Sequence, residues 1–281
     1  MKKNSIIDSH CHLDFAAFDN DRGDVLQNCT SSGVTDIIIP GVLASSWDAL
    51  LSSCEQASPA STSIATSTSI SSTTQTTSLP TQLHCALGLH PVFLDQHKDE
   101  HLTKLDHMLN HDQVLAVGEI GLDFFIKTLD KEKQTYFFEQ QLFLAKKHDL
   151  PVILHTRKSH DATLKSLKTR ALKGGIAHAF NGSLQQAHHY IDLGFKLGFG
   201  GMLTFERSRK LRQLVQQLPL DSIVLETDSP DMTVEQHRGE RNSPEYLPYI
   251  LTALAELRPE STHEIAEITS QNTRSVLALP R

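Results

Sequence analysis

The feature that most restricts what this chain can fold into is a repeated alternation. Short apolar runs of strand length recur eight times, separated by stretches with the periodicity of amphipathic helices. The strands read as Ile6 to Asp8 leading on to His12, Val34 to Pro40, Leu83 to Gly88, Val114 to Gly118, Val152 to Leu154, Ile176 to Ala177, Phe195 to Gly200 and Ser222 to Glu226. The helices read as Arg22 to Ser32 with Gly33 as C-cap, a turn through Trp47 and Cys54 capped by Ser46, Leu102 to Leu109, Lys131 to His148, Asp161 to Ala171, Ser183 to Asp192, and a basic-led stretch from Arg207 to Leu218. Two more, with Pro259 between them, fill Pro244 to Leu279 and can close the last face. A helix between each strand and the next implies parallel pairing through crossovers, and eight such units favour an α/β fold closed as a (β/α)8 TIM barrel. Residues 1–281 are read as a single domain.

One stretch falls outside the alternation. Gln56 to Thr81 is almost entirely Ser, Thr, Ala and Gln, with two prolines, and has too little apolar content to offset the entropy of ordering it. It is expected to be a flexible surface insertion. The formal charge of -7 argues against a broad electrostatic grip on nucleic acid, so a phosphate substrate would be held by local cations. Cys11, Cys29, Cys54 and Cys85 form no C-x-x-C pair and read as reduced, buried thiols of a cytoplasmic protein. No stretch approaches a membrane span or a signal-peptide core, and no obligate protein partner is evident.

The polar residues that end the strands carry the functional signal. His10 and His12 lie one residue apart, so in extended chain they share a face and Cys11 takes the other. Glu119, His155, His178 and Asp228 follow strands four, five, six and eight. Each alone has a structural explanation: a buried histidine satisfied by backbone, a helix-dipole partner, a turn-starting aspartate. Those explanations predict scattered positions, whereas all of these residues fall at the barrel end where active sites form. Four imidazoles and two carboxylates suffice for two divalent ions, with Glu119 as the bridge, His10, His12 and Asp228 on one ion and His155 and His178 on the other. Such a pair acidifies water and supplies a nucleophile without a serine or cysteine, and Asp228 can take up the remaining proton. Glu119 and Asp228 are thus the catalytic candidates. Arg157, Arg207 and Arg209 are candidate phosphate contacts, although a solvated basic face explains the last two and Lys210 equally well. His90 reads as a support for the ligands or a phosphate contact, with a structural role as the alternative.

Together these stretches resemble the TatD-type metal-dependent hydrolases of the amidohydrolase-like barrels. The matching segments are Asp8-Ser9-His10-Cys11-His12-Leu13-Asp14, Gly88-Leu89-His90-Pro91, Gly118-Glu119-Ile120-Gly121-Leu122-Asp123, Pro151 to Arg157, His178-Ala179-Phe180-Asn181-Gly182 and Glu226-Thr227-Asp228-Ser229-Pro230. Arg238-Gly239 and Arg241-Asn242-Ser243-Pro244 fit as well. The resemblance implies a TIM barrel, a two-metal site and deoxyribonuclease or 3'-5' exonuclease activity on nucleic-acid ends. A small phosphoester, amide or lactone is the alternative substrate, and a non-catalytic metal-binding barrel a third possibility. Lys158 stands where the family usually has an acid, and Arg157-Lys158-Ser159-His160-Asp161 looks like the YjjV-like branch. Thr233 lies where a proline is common. Both departures sit at the substrate end. Four imidazoles favour Zn, Mn, Ni or Fe, whereas the resemblance also admits Mg.

Overall fold

The computed structural model describes residues 4–56 and 79–279, so most of the Gln56 to Thr81 insertion lies outside the described residues. Strands β1 (Ile6–Asp8), β2 (Val34–Pro40), β3 (Gln82–Leu87), β4 (Val114–Asp123), β5 (Val152–Arg157), β6 (Gly175–Ala177), β7 (Phe195–Phe199) and β8 (Ile223–Leu225) form one eight-stranded sheet in sequence order. Every neighbouring pair from β1 to β8 is parallel. The helices are α1 (Arg22–Ser32), α2 (Trp47–Gln56), α3 (Asp99–Met108), α4 (Lys131–Lys147), α5 (His160–Lys168), α6 (Leu184–Asp192), α7 (Arg209–Gln217), α8 (Leu247–Ala255) and α9 (Thr262–Leu277). No helix among the described residues is long and apolar enough to cross a membrane.

The sheet nearly closes on itself where β8 meets β1. Ser9 N–H donates to Leu225 O at 2.9 Å and Asp228 N–H to His10 O at 2.9 Å. The buried Asp8 carboxylate accepts from Thr227 N–H at 2.9 Å and from Thr227 Oγ1 at 2.6 Å. This joins the first and last strands by side chain as well as backbone, and it sets His10 beside Asp228.

Alternation along the strands builds two apolar layers. Ile7, Ile38, Ala86, Ala116, Ile153, Ile176 and Val224 meet inside the barrel, and Leu277 and Leu279 pack against them. Their strand neighbours, such as Ile37 and Ile39 or Val152 and Leu154, face outward into the larger core shared with the helices. Helix ends follow local chemistry. Gly33 closes α1 in the left-handed conformation at φ 92°, which a side chain would disfavour. Ser183 and Gln186 form a reciprocal capping box at the start of α6. Asn272 of α9 donates to Leu220 O and Ile223 O, tying the last helix under β8.

Two strands run further than the hydrophobic pattern suggests. β4 does not stop at Gly118: it continues through Glu119 to Asp123 and pairs with β5, which itself reaches Arg157. Val117 faces Val152 and Ile120 faces Leu154, so β4 carries one extra residue at Gly118-Glu119. A bulge of this kind breaks the side-chain alternation and re-aims the residue it contains. Conversely, β1 ends at Asp8 and His10 and His12 belong to the loop beyond it. Helix α7 begins at Arg209, leaving Arg207 in the loop that precedes it.

Candidate metal centre

The residues expected from the strand ends do converge, and Glu119 is at their middle. Its Oε2 lies 3.1 Å from His10 Nε2 and 3.4 Å from His12 Nε2. Its Oε1 lies 3.1 Å from His155 Nδ1, 3.2 Å from His90 Nε2 and 3.5 Å from His178 Nε2. Asp228 Oδ1 is 3.7 Å and 3.8 Å from the Nε2 atoms of His10 and His12. The donor atoms gather into three overlapping sets: His10, His12 and Glu119; His10, His178 and Asp228; and His90, Glu119 and His155. Glu119 thus sits between two histidine groups. His155 and His178 both face Glu119 Oε1, where His90 joins them, and His178 also stacks on His10 with ring centroids 3.8 Å apart.

Burial and crowding set the electrostatics. Burial and the neighbouring His178 hold His10 well below the ordinary histidine range, and burial lowers His90 to about 4. Burial opposes charge on His178 too, yet Asp228, Glu226 and Glu119 outweigh it and lift that residue to about 10. Glu119 is buried enough to favour its neutral form, but His90, His10 and His178 hold it well below the carboxylate range. Burial raises Asp228 to about 6. Glu119 Oε2 and the Nδ1 atoms of His10 and His12 have no hydrogen-bond partner. A buried carboxylate oxygen that faces two imidazole nitrogens without a hydrogen bond is a donor set suited to a cation, and mixed imidazole and carboxylate ligation suits first-row divalent ions.

A family model described as TatD related DNase matches residues 7–278. The chain belongs to this TatD family. It is 39% identical over 277 residues to the uncharacterized metal-dependent hydrolase YjjV of Escherichia coli K12, covering 98% of both chains. It is 29% identical over 276 residues to the uncharacterized metal-dependent hydrolase YabD of Bacillus subtilis, covering 98% of this chain and 99% of that one. The crystal structure of the E. coli YjjV protein, a TatD homologue, superposes with a TM-score of 0.86 at 38% identity over 98% of each chain. The TatD barrel and the YjjV-like character read from Arg157 to Asp161 are both borne out.

Within this TatD barrel, carboxylates outside the central cluster orient its histidines. Asp123 Oδ2 takes His155 Nε2 at 3.2 Å, which turns the Nδ1 lone pair of His155 to Glu119. Glu226 Oε1 lies 3.3 Å from His178 Nδ1 and accepts Ala179 N–H at 2.6 Å, which leaves His178 Nε2 facing the centre. The Glu226 carboxylate fills the space a side chain at position 198 would take: a Cβ there would collide with it, so β7 carries Gly198. His90 behaves differently. Its Nδ1 accepts Val92 N–H at 3.1 Å, so in the neutral ring the proton is on Nε2 and points at Glu119. The strand-end logic missed Asp123 and Glu226, although both lie in the matching segments. The available signal was spacing: Asp123 is four residues past Glu119 on one strand, and Glu226 two before Asp228.

A cavity of about 540 Å³ opens over the cluster. Phe15, Phe93, Met202, Leu211 and Met232 line much of it, and Phe15 stacks on the His12 ring at 4.7 Å. Arg157 and His90 are among its lining residues, with the Arg157 guanidinium carbon 3.9 Å from the Phe125 ring centroid. Arg207 and Arg209 are exposed and are not among the lining residues.

Proposed function

We propose that this chain is a metal-dependent hydrolase that cleaves phosphodiester bonds at single-stranded nucleic-acid ends, as a TatD-like deoxyribonuclease or 3'-5' exonuclease. The observation that carries the reading is the placement of Glu119, whose two carboxylate oxygens each face a separate group of imidazoles. His10, His12, His155, His178 and Asp228 would hold two divalent ions (Zn, Mn, Ni, Fe or Mg) with Glu119 between them. Bound there, such ions supply Lewis acidity to the phosphoryl group and acidify a water molecule.

The rest of the chemistry belongs to the chain. Arg157 lines the cavity with its guanidinium carbon 3.9 Å from the Phe125 ring centroid, and its N–H groups, which make no hydrogen bond within the protein, can serve phosphoryl oxygens. His90, neutral because it is buried, lines the same space and points its Nε2–H at Glu119 Oε1, 3.2 Å away, which helps to hold that carboxylate in place. Asp228 is ionised at neutral pH but has a raised proton affinity, which fits it to take the proton of the attacking water. Phe15 and Phe93 offer apolar faces to a base or sugar at the rim.

The test is nucleotide release from 5'-labelled single-stranded DNA by metal-reconstituted protein, with elemental analysis of the loaded site. His155→Ala and Asp228→Asn are expected to abolish release while the circular dichroism spectrum is retained. Full activity in both variants excludes the mechanism. The bounded volume and apolar lining of the cavity favour, as a second reading, a small phosphoester, amide or lactone as substrate, and a panel of these run beside the DNA ends separates the two.

A further inference from the structure

Most arginines in this fold use their guanidinium N–H groups on the protein itself. Arg22, Arg170, Arg212, Arg241, Arg258 and Arg274 each donate to a backbone carbonyl or a carboxylate. Among the described residues, the arginines whose side chains make no hydrogen bond or ion pair are Arg157, Arg207, Arg209 and Arg238. All of them follow or end strands at the mouth of the barrel: Arg157 on β5, Arg207 and Arg209 after β7, Arg238 after β8. Unpaired donors are therefore concentrated on one side of the cluster of histidines.

Two of these arginines are seated on one ring. The guanidinium carbon of Arg207 lies 4.8 Å from the centroid of Phe205, and that of Arg238 lies 5.2 Å from it. Phe205 is buried and both arginines are exposed, so the ring acts as a fixed seat for two solvent-facing cations. Stacking uses the flat face of a guanidinium and leaves its N–H edges free. Both guanidinium carbons lie within 5.2 Å of the same ring centroid, and an anion that reaches both groups would meet two positive charges.

The loops that carry the pair are locked to each other and to the cavity. Glu235 N–H donates to Thr204 Oγ1 at 2.8 Å, and the backbone at Gly201 packs so tightly that a Cβ there would collide with Met232 O. The first halves of the same loops line the cavity through Met202, Asp231 and Met232. Glu240, the nearest acid in the chain to Arg241 and Arg238, is turned to His237 at 2.8 Å. Arg209 and Lys210 occupy the first turn of α7, where the helix dipole disfavours cations, which adds to the positive potential on this side. Loops after strands seven and eight are also where (β/α)8 barrels commonly hold phosphate.

We propose that Arg207 and Arg238, seated together on Phe205, form a second phosphate subsite that takes the backbone phosphate next to the one held in the cavity. The inference rests on the phosphodiesterase reading above, and it narrows the substrate to a single-stranded oligonucleotide instead of an isolated small ester.

The experiment measures binding without turnover, using the metal-loaded protein and a fluorescein-labelled thymidine hexamer with phosphorothioate linkages, by fluorescence anisotropy over a range of salt. Arg207→Gln with Arg238→Gln is expected to weaken binding about tenfold at low salt, as for loss of charge-assisted hydrogen bonds. It is also expected to reduce the slope of log Kd against log salt by about 0.7, the value for one lost single-strand phosphate contact. The charge-matched variant Lys165→Gln with Lys168→Gln, on the exposed face of α5, is expected to keep both the affinity and the slope. A hexamer that does not bind, an Arg207→Gln/Arg238→Gln variant with wild-type affinity and slope, or equal losses in the lysine variant would each overturn the proposal. Failure of the underlying reading is seen separately, as absence of nucleotide release from the unmodified hexamer.

Discussion

Gln141 holds Leu89 by both of its backbone groups: Leu89 N–H donates to Gln141 Oε1 at 2.6 Å, and Gln141 Nε2 donates back to Leu89 O at 3.2 Å. Gln134, two turns earlier on α4, holds Asp123 in the same way, taking its N–H at 2.8 Å and donating to its carbonyl at 3.1 Å. Both glutamines are 1% exposed, so the backbone groups they satisfy have no water to turn to. One helix thereby fixes the loop that carries His90 and the strand end that carries Asp123.

Gln141→Leu keeps the bulk and removes both bonds, leaving a buried N–H and a buried carbonyl unpaired. A loss of about 3 kcal/mol is expected from two unsatisfied backbone groups, visible as a lower urea midpoint with an unchanged m-value. A midpoint equal to that of the wild type would mean that the loop relaxes and that Gln141 does not position His90.

Glu226→Gln tests how the ring of His178 is oriented. The carboxylate lies 3.3 Å from His178 Nδ1 and favours a proton there, whereas an amide that still accepts Ala179 N–H presents its NH2 group to that nitrogen. The amide favours the other tautomer, with the proton on Nε2 where a lone pair must face the centre. Metal affinity is expected to fall by about 10–100-fold, the usual effect of losing a histidine's carboxylate partner. Titration with a chromogenic chelator as competitor measures it, and Ala179 keeps its hydrogen bond as a control on the local fold.

The barrel was legible in the sequence because its signals are local. Apolar runs, helix periodicity, Gly33 as a C-cap and the Ser183 cap all act within a few residues, and the β2 and α1 boundaries coincide with those read from the residues. The bulge at Gly118-Glu119 was not legible, because it depends on register against β5, and without it Glu119 reads as the end of β4 instead of a residue within it. The convergence of His10, His12, Glu119, His155, His178 and Asp228 followed from strand order alone. The orientation of the rings did not, because Asp123, Glu226 and Val92 N–H set it from outside the cluster. Where Arg207 and Arg209 stand relative to the cavity was not legible either: both lie outside its lining.

At the opposite end of the barrel, stability should depend on acid through Asp36. This β2 residue accepts from His84 Nε2 at 2.9 Å and from Arg274 Nη2 at 2.7 Å. Burial raises the proton affinity of Asp36, but the hydrogen bonds from His84 and Thr35 and the charge of Arg274 outweigh it, leaving the pKa below 3.8. A depressed carboxylate stabilises the fold above its unfolded pKa near 4 and loses that contribution as pH falls through the folded value. Asp36→Asn is therefore expected to be less stable than the wild type at pH 7, by about 2 kcal/mol for charge-assisted hydrogen bonds, with the gap narrowing below pH 4. Urea melts of both proteins at pH 7 and pH 3 measure the two gaps, and a constant difference would assign the effect to packing alone.

Metal loading should release protons, and the metal-free electrostatics say from where. With Asp228, Glu226 and Glu119 around it, His178 has a pKa of about 10 and is protonated at pH 7 when no ion is bound. An imidazolium has no lone pair to offer, so this proton must leave when His178 takes a divalent ion. His10 and His90, lowered by burial, are already neutral and contribute none. Raised His12 and His155 add to the release where they too are charged. Affinity is accordingly expected to rise with pH between 6 and 8, by at least about tenfold per pH unit for each proton displaced. Calorimetric titration with zinc at pH 7 in buffers of different ionisation enthalpy counts the protons directly. His178→Ala removes the most basic of the rings, so it should lower that count by about one as well as weakening binding. A wild-type protein that binds zinc with no proton release would show that His178 is neutral before the ion arrives, and that the carboxylates around it do not hold it charged.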